Sequence, residues 1–455
     1  MFKSHRRTYR KSRPSVPLLW ILLAIPLALI FLELLARLLV NITGNGAKLA
    51  AYEGQPSIVT AYNLKFLNRS QQPYDALSDR GHLAAQRHVA VGYSLVGNQK
   101  SEFWRINEQG FRDDEPVPLE KPKNEIRIFL LGGSTAFGQR SLSNQATLAN
   151  FLEARLNERI AQQRRSPEKY RPVPLPVYKP EREKALTLPP QLRDGQYRVI
   201  NAAVPGYTSG NELAKLALQI LPYNPDAILV LDGYADLMLP SDQWATDIPH
   251  EEAFLNNALD HLWTHTTGRL KQAIADTYLV KSIHYWIFPS QPSVSQLSLV
   301  VTDRTEPLEQ HLATDANELE RRVIRYRDRL GQMVRLTTGA NIPLIVALQP
   351  EVTGRPSGTL SSRERTIVNE LDPIYKQRVQ AGYAELTQVM QNAQEAFPQN
   401  VKALNFYKLD ENLRQGAFDD AIHLTEDGNK VITERFYRAI ADLQKLQVTP
   451  PKPPK

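Results

Sequence analysis

The sequence predicts an α/β protein built on a doubly wound, mostly parallel sheet of five strands, preceded by one transmembrane helix. Short apolar runs, which suit buried parallel strands, alternate with longer segments that suit helices. Ahead of them stands one apolar stretch that is long enough to cross a bilayer. The chain has 455 residues, of which 42% are apolar and 23% charged. It can therefore bury a sizeable core.

The first forty residues divide into a basic tail and an apolar anchor. Residues 1–15 are predicted to be a cytoplasmic tail, because the first thirteen residues hold six Lys or Arg and no acid. Residues 16–40 are predicted to span the lipid bilayer as an uncleaved anchor, interrupted only by Glu33 and Arg37, which stand four apart and can pair. A cleaved signal peptide, the alternative, would have a shorter apolar run and an A-x-A site.

This topology predicts a single-pass protein of the plasma (inner) membrane whose body is extracytoplasmic, in the periplasm. The net charge of +7 comes from the tail, since the rest of the chain has 49 basic and 48 acidic residues. Such a balance argues against nucleic-acid binding. The absence of cysteine excludes a disulfide scaffold, a cysteine nucleophile and cysteine-ligated metals. No cofactor or metal is predicted, and the oligomeric state is left open.

The body is predicted to have a linker followed by one domain. Residues 41–120 are expected to form an irregular, partly β prelude, and residues 121–445 the α/β domain. The predicted strands are 126–132, 197–203, 226–233, 342–350 and 401–407. The predicted helices are 147–160, 211–221, 317–338, 373–397 and one starting near 426.

Two insertions and a tail interrupt this rhythm. Residues 162–195 contain seven prolines and are expected to form an extended surface loop. Residues 238–310 carry three tryptophans and are interpreted as a lid over the strand ends, a glycan platform or packed core. Residues 446–455 are Pro- and Lys-rich and are predicted to be disordered.

The end of the first strand is the first candidate site. Glycines at 132 and 133 allow a sharp turn that leaves Ser134 at a helix N-terminus, where backbone N–H groups favour an oxyanion. A phosphate-binding loop would need a G-K-[ST] ending, which is absent. A plain strand-to-helix turn is the other alternative. After the second strand, Gly206 allows the backbone to approach a ligand closely.

A second candidate site follows the fifth strand. Asp420 and His423 stand three apart, so the carboxylate can fix the imidazole tautomer and leave the other nitrogen as a base. Asp419 is an alternative partner for His423. An Asp-x-x-His pair is usually structural, but here it shares a sheet edge with Ser134.

Four segments resemble a known family when they are taken together. LLGGSTAFG, NAAVPGYTS, PDAILVLDGYADL and DDAIHLTEDGN follow the order of the sequence blocks of the SGNH (GDSL-like) hydrolase superfamily, over roughly 125–440. They are most similar to the membrane-anchored bacterial G-G-S-T branch of this superfamily. The upstream segment INEQGFRDDE of this chain also resembles the N-G-F-R lead-in of that branch. The resemblance implies a flavodoxin-like fold, with Ser134 as nucleophile, His423 as base, Asp420 as its orienter, and the N–H groups of Ser134 and Gly206 as oxyanion donors.

Two positions depart from the family pattern. Gly133 stands where Asp is usual, which is normal for the G-G-S-T branch. Ala235 replaces the asparagine of G-x-N-D, whose amide completes the oxyanion hole, and losing one such donor costs about 10²–10³ in kcat. Asn211 is a candidate replacement donor.

The sequence therefore predicts a membrane-anchored serine esterase that acts on acyl esters, such as O-acetyl groups of envelope or extracellular polysaccharide, or on lipid esters. Acyl transfer to a sugar hydroxyl would use the same residues. The alternative is a catalytically impaired protein that binds glycan or an envelope partner through the same cleft.

Two other patterns are interpreted as structural. His261 and His265 have the spacing of a zinc-binding helix, but Leu262 stands where a zinc protease needs its glutamate. The basic run 321–330 is interpreted as the solvated face of an amphipathic helix.

Overall fold

The computed structural model describes residues 18–50, 52, 54–73, 81–248, 258–288, 292–298, 306–409, 413 and 416–448. The strands of this part of the chain are β1 Leu64–Leu67, β2 Leu83–His88, β3 Gly92–Leu95, β4 Gln99–Lys100, β5 Arg105–Ile106, β6 Glu125–Gly132, β7 Gln196–Asn201, β8 Ala227–Asp232, β9 Leu344–Leu348 and β10 Val401–Asn405. Its α-helices are α1 Leu18–Ile42, α2 Gly46–Ala50, α3 Ser57–Tyr62, α4 Ser134–Phe137, α5 Leu148–Arg165, α6 Lys179–Leu186, α7 Ser209–Lys215, α8 Tyr234–Met238, α9 Ala258–Ala275, α10 Tyr278–Ser282, α11 Val294–Ser298, α12 Leu308–His311, α13 Ala316–Gly339, α14 Ser362–Glu370, α15 Pro373–Ala396 and α16 Glu426–Ala441.

The central sheet has five parallel strands in the order β10-β9-β8-β6-β7. Every residue of β8 and β9 is buried, as expected for parallel strands covered on both faces. Counted in chain order this is the 2-1-3-4-5 arrangement of flavodoxin-like folds, so the predicted fold class is confirmed. Strands β7 and β8 lie on opposite sides of β6, so the chain changes its winding direction at β6. Such a change opens a crevice at the carboxyl ends of the strands.

The helices pack on the sheet in two groups. Helix α5 packs against α16 and β7, while α13 packs against α7 and α15. Helix α13 contains the basic run 321–330, and here the expectation of a solvated face is wrong for two arginines. Arg322 and Arg325 are buried, at 6% and 9% exposure. They donate to the backbone carbonyls at the C-terminal end of α8 and just beyond it, including Asp236 O at 2.8 Å from Arg325 Nη2.

The prelude is more ordered than the sequence suggested. Strands β1, β2 and β3 form a small mixed sheet, and β4 pairs with β5. Tyr93 of β3 is fully buried, and its hydroxyl donates to Pro205 O at 2.7 Å. The prelude therefore supports the loop that follows β7.

The 162–195 insertion is also more regular than predicted. Helix α5 continues to Arg165, and α6 occupies 179–186, so an extended loop is wrong for these residues. At the other end, Leu446 is fully buried and the Val448 N–H donates to Gln191 O at 2.9 Å, so these residues are not a disordered tail. The remainder of the predicted tail, 449–455, lies outside the described residues.

The described residues between 18 and 57 and between 266 and 288 form a compact unit of their own. Within α1, residues 22–42 make one helix that is long and apolar enough to cross a membrane, with a mean hydropathy of 2.3. The predicted pairing of Glu33 with Arg37 is confirmed, at 2.8 Å. Glu33 also accepts from the N–H groups of Tyr278 and Leu279, at 3.1 and 2.8 Å, and so caps α10. Part of the 238–310 insertion thus packs on α1, a contact that the sequence did not predict.

Candidate active site

A small cavity lies where the carboxyl ends of the central strands meet. It has a volume of about 50 Å³, is partly open to solvent, and is lined by residues that follow four strands, together with the loop after β10. The lining includes Ser134, Gly206, Ala235, Met238, Leu239, Ser298, Gln349 and Ile422. The two flanks of the 238–310 insertion, at Met238 and Ser298, supply part of the wall. The sequence predicted that function would be found at this sheet edge.

The turn after β6 places Ser134 at the cavity. Gly132 has φ +149°, and a Cβ there would lie 2.3 Å from the carbonyl oxygen of Leu231, so only glycine fits. The chain turns and α4 begins at Ser134, whose backbone N–H therefore has no acceptor within the helix. Ser134 is 6% exposed, so the cavity is its access to ligands.

Arg112, from the segment INEQGFRDDE, hydrogen-bonds the C-terminal end of α4. Its Nη1 donates to the carbonyl oxygens of Phe137 and Gly138 at 3.0 and 2.7 Å. A buried cation at the C-terminal end of a helix is electrostatically favourable. Sequence reasoning noted this segment only as a family lead-in and missed its role in supporting the turn of Ser134.

Asp420 and His423 form a buried pair in the loop after β10. His423 Nδ1 lies 2.8 Å from Asp420 Oδ2, and both side chains are fully buried. The N–H groups of Ile422 and His423 donate to Asp420 Oδ1 at 3.0 and 2.9 Å. Arg140 Nη1 donates to Asp420 Oδ2 at 3.1 Å. Four donors thus converge on one carboxylate.

These donors keep Asp420 ionised. Burial by itself would raise the pKa of Asp420, but the electrostatic interaction and hydrogen bond with the His423 ring, together with the charge of Arg140, outweigh it and hold the pKa far below the usual range. An ionised carboxylate only accepts hydrogen bonds, so Nδ1 of His423 carries the proton. Nε2 is then left with its lone pair, as a base requires.

The choice between the two aspartates is settled by their contacts. Asp419 Oδ1 lies 2.7 Å from Arg363 Nη1, and only its backbone touches His423, through an N–H that donates to His423 O at 2.8 Å. Asp420 is therefore the partner of the imidazole ring. Arg140, which shares that carboxylate, was not singled out from the sequence.

Thr135 links the two candidate sites. Its Oγ1 donates to the carbonyl oxygen of Ile422 at 3.1 Å, which joins the residue after Ser134 to the residue before His423. No atom of the described residues hydrogen-bonds His423 Nε2, so Ser134 Oγ and His423 Nε2 are not joined by a hydrogen bond. In enzymes without substrate, catalytic hydrogen bonds are often long and tighten only in the substrate complex.

The positions expected to form an oxyanion hole, Ser134, Gly206 and Ala235, all line the cavity. Gly206 lines the cavity with φ +85°, and Thr246 Oγ1 holds its carbonyl oxygen at 2.6 Å. Ala235 also lines the cavity and offers only a methyl group. Asn211 is not a replacement, and that expectation is wrong. Its amide nitrogen donates to Val91 O and Thr246 O, each at 2.7 Å, so this fully buried side chain is occupied in holding loops together.

Three buried carboxyl groups lie next to this site and were missed from the sequence. Asp236 accepts from the N–H and hydroxyl of Ser209, at 3.0 and 2.5 Å. Burial and the neighbouring Asp236 raise the pKa of Asp232 to about 7. Burial, with Asp232 and Asp236 nearby, also raises the pKa of Glu212 well above its usual value. Glu212 and Asp232 therefore hold their protons to higher pH than ordinary carboxyl groups do, and no local sequence pattern reveals the cluster.

The two histidines with the spacing of a zinc-binding helix lie elsewhere, on α9. Among the described residues, no group of three His, Asp or Glu side chains is arranged to hold a metal ion. His261 and His265 lie on α9, but the interpretation of their side chains falls outside the described residues.

No family model and no curated protein matches this sequence. Similar solved structures include a lipase/acylhydrolase from Enterococcus faecalis, at 14% identity over 71% of this chain and 100% of that chain, with a TM-score of 0.33. An acetyl xylan esterase matches at 10% identity over 69% and 100%, with a TM-score of 0.28. A GDSL-like lipase from Bacteroides thetaiotaomicron matches at 11% identity over 72% and 91%, with a TM-score of 0.29. At such low identities and TM-scores, the function has to be argued from the site itself.

Proposed function

We propose that this chain is a membrane-anchored serine ester hydrolase of the SGNH type, with Ser134 as nucleophile, His423 as base and Asp420 as its orienter. The observation that carries the proposal is the buried Asp420–His423 pair at 2.8 Å, with Nε2 left free in the described structure. Thr135 ties this loop to the turn that presents Ser134. Two of the four sequence blocks of the family fall on these loops, and the other two fall on the loops after β7 and β8, which also line the cavity.

In the first half of the reaction, Ser134 Oγ forms a bond to the carbonyl carbon of the ester, and its proton passes to His423 Nε2. The carbonyl electron pair moves onto the oxygen, where the N–H groups of Ser134 and Gly206 would stabilise it. The bond between the carbonyl carbon and the alcohol oxygen then breaks. His423 returns its proton to the departing alcohol, which leaves an acyl group on Ser134.

In the second half, water attacks the acyl carbon and gives its proton to His423, which then protonates Ser134 Oγ as the acid leaves. A sugar hydroxyl in place of water would transfer the acyl group instead, with the same residues and proton movements. The apolar cavity next to Ser134 suits the acyl side of the ester. The alcohol side would lie outside it.

The membrane anchor suggests where substrates are met. Helix α1 is long and apolar enough to span a bilayer, and the six basic residues before it favour a cytoplasmic N-terminus. The catalytic domain would then face the periplasm, where acyl esters of envelope polysaccharide and of lipids are within reach. Carbonate washing of membranes and protease digestion of spheroplasts test this arrangement. Release by carbonate, or protection of the domain in spheroplasts, would contradict it.

One observation favours a second candidate function. Ala235 cannot donate to an oxyanion, so a protein that binds acylated glycan in this cavity without turnover would tolerate it. The retained Asp420–His423 pair argues for the enzyme, since binding alone does not require an oriented base.

Hydrolysis of p-nitrophenyl acetate by the full-length protein in detergent separates the two candidates. Ser134→Ala is expected to abolish turnover and labelling by a fluorophosphonate. Ser298→Ala is the matched control, because Ser298 also lines the cavity and is 2% exposed, yet it belongs to none of the four sequence blocks. Equal background rates from wild type and Ser134→Ala would favour the binding protein. Equal losses in both variants would show that the rates report cavity shape and not a nucleophile.

A further inference from the structure

The candidate oxyanion site lacks the third donor that its chemistry calls for. Two backbone N–H groups, those of Ser134 and Gly206, face a developing oxyanion in the proposed mechanism. The third position, after β8, carries the methyl group of Ala235. Each missing donor has a large effect on rate, since the charge on the oxygen develops only in the transition state.

Gln349 brings an amide to the same cavity from the neighbouring strand. It directly follows β9, which pairs with β8, and its backbone N–H donates to Asp232 O at 2.8 Å, continuing the sheet by one bond. The residue is 3% exposed and lines the cavity together with Ser134 and Ala235. An uncharged amide at this depth normally finds hydrogen-bond partners for its groups.

Thr135 determines which way the Gln349 amide points. The Thr135 hydroxyl has one hydrogen, which it donates to Ile422 O at 3.1 Å. It therefore has only a lone pair to offer Gln349, and the group 3.3 Å away from it must be the nitrogen, Nε2. That bond uses one of the two amide hydrogens. Within the described residues no acceptor is found for the other hydrogen, which leaves it for a ligand in the cavity.

We propose that Gln349 supplies the third oxyanion-hole donor, in place of the side chain missing at Ala235. The inference rests on the proposed function and adds a catalytic residue to it. As Ser134 Oγ bonds to the acyl carbon, the free Nε2 hydrogen of Gln349 donates to the carbonyl oxygen that gains the electron pair. The donor has moved from the end of β8 to the end of the adjacent strand β9, so both positions reach the same edge of the sheet.

A structural role for Gln349 is the competing explanation, since its amide also holds Thr135. The two roles predict different kinetics. A donor to the oxyanion contributes only in the transition state, so its loss lowers kcat and leaves KM nearly unchanged. A support for Thr135 would act through the whole loop, and no amide placed at 235 would replace it.

The experiment compares Gln349→Met with the double variant Gln349→Met/Ala235→Asn, in full-length protein with p-nitrophenyl acetate. Gln349→Met is expected to lower kcat by about 10²–10³ while KM stays within about threefold. Ala235→Asn in that background is expected to recover at least tenfold of the loss. Gln349→Leu, which also removes the amide and carries no donor, is expected to be similarly impaired, and serves if the methionine variant does not fold.

The outcomes distinguish the donor role of Gln349, its structural role and the proposed esterase activity. If Ser134→Ala is inactive but Gln349→Met keeps kcat within threefold of wild type, Gln349 is not a donor and the esterase stands. If the loss is not recovered by Ala235→Asn, or is shared equally by kcat and KM, the structural role replaces the catalytic one. If Ser134→Ala is as active as wild type, the proposed function itself fails, and this inference fails with it.

Discussion

Asp420 Oδ2 accepts hydrogen bonds from both His423 Nδ1, at 2.8 Å, and Arg140 Nη1, at 3.1 Å, so one carboxylate oxygen joins a candidate base to a permanent cation. The neighbouring Asp419 pairs with Arg363 instead. Two adjacent aspartates in one loop therefore have separate partners. That difference provides a matched pair of variants.

Asp420→Asn is expected to lower kcat by about 10³–10⁴, because an amide can donate to Nδ1 and so favours the imidazole tautomer that has its proton on Nε2. Asp419→Asn, in the same loop, is expected to stay within about threefold of wild type. Both rates are measured with p-nitrophenyl acetate, beside a thermal melt of each variant. Equal losses in the two variants would mean that the loop, and not the tautomer, controls the rate.

Arg140 is expected to act as a positioning residue for the same carboxylate. A hydrogen bond to a charged group contributes about 1.5–3 kcal/mol, so Arg140→Gln should lower kcat/KM by roughly 10–100-fold. Arg140→Lys keeps the cation and should recover part of the loss. Arg363→Gln, which removes the partner of Asp419, is the control and should change the rate much less. A rate unaffected by Arg140→Gln would remove Arg140 from the site.

The parts of the fold that were predictable depend on local patterns. The five strands of the central sheet are short apolar runs, and the structure places each within two residues or so of its predicted bounds. Glu33 and Arg37 stand on one face of a helix, so their pairing follows from spacing alone. Asp420 and His423 lie three residues apart, within reach of each other in one tight loop.

The contacts that were missed join segments far apart in the chain. Arg140 meets Asp420 across 280 residues, and Gln349 meets Thr135 across 214. A single Arg or Gln in a loop has no periodicity that could reveal such a partner. The basic run 321–330 predicts an exposed side chain for Arg322, and this prediction fails because its hydrogen-bond partners are also distant in the chain. Arg322 shares a helix face with Tyr326 and Leu330, and the carbonyl groups that make its burial favourable come from another element.

The size of the cavity predicts a preference for short acyl groups. One water needs about 10–15 Å³ of such space, so about 50 Å³ holds a group of three or four non-hydrogen atoms, as in an acetyl group. With p-nitrophenyl esters, kcat/KM is expected to fall from acetate to hexanoate by at least tenfold. Met238→Ala, which shortens one wall, should narrow that ratio, because extra methylene groups are then accommodated. A preference for hexanoate in the wild type would contradict an acyl site of this size.

The buried carboxyl cluster predicts how stability changes with pH. Burial, with Asp232 and Asp236 nearby, raises the pKa of Glu212 in the folded state, so the folded protein holds a proton that the unfolded chain releases. The stabilisation from that proton is complete below the unfolded pKa and is lost as the pH rises through the folded one. The melting temperature of the wild type should therefore fall between pH 5 and pH 8.

Glu212→Gln is expected to flatten that fall, since an amide has no proton to lose and still fits the buried site. The variant should melt higher than wild type at pH 8 and close to it at pH 5. Glu158→Gln is the control, because 56% of the Glu158 side chain is exposed and its removal should leave the pH dependence unchanged. Differential scanning fluorimetry of the full-length protein measures all three. Parallel pH profiles for wild type and Glu212→Gln would show that Glu212 is already ionised in the folded protein, and that water or another group compensates its charge.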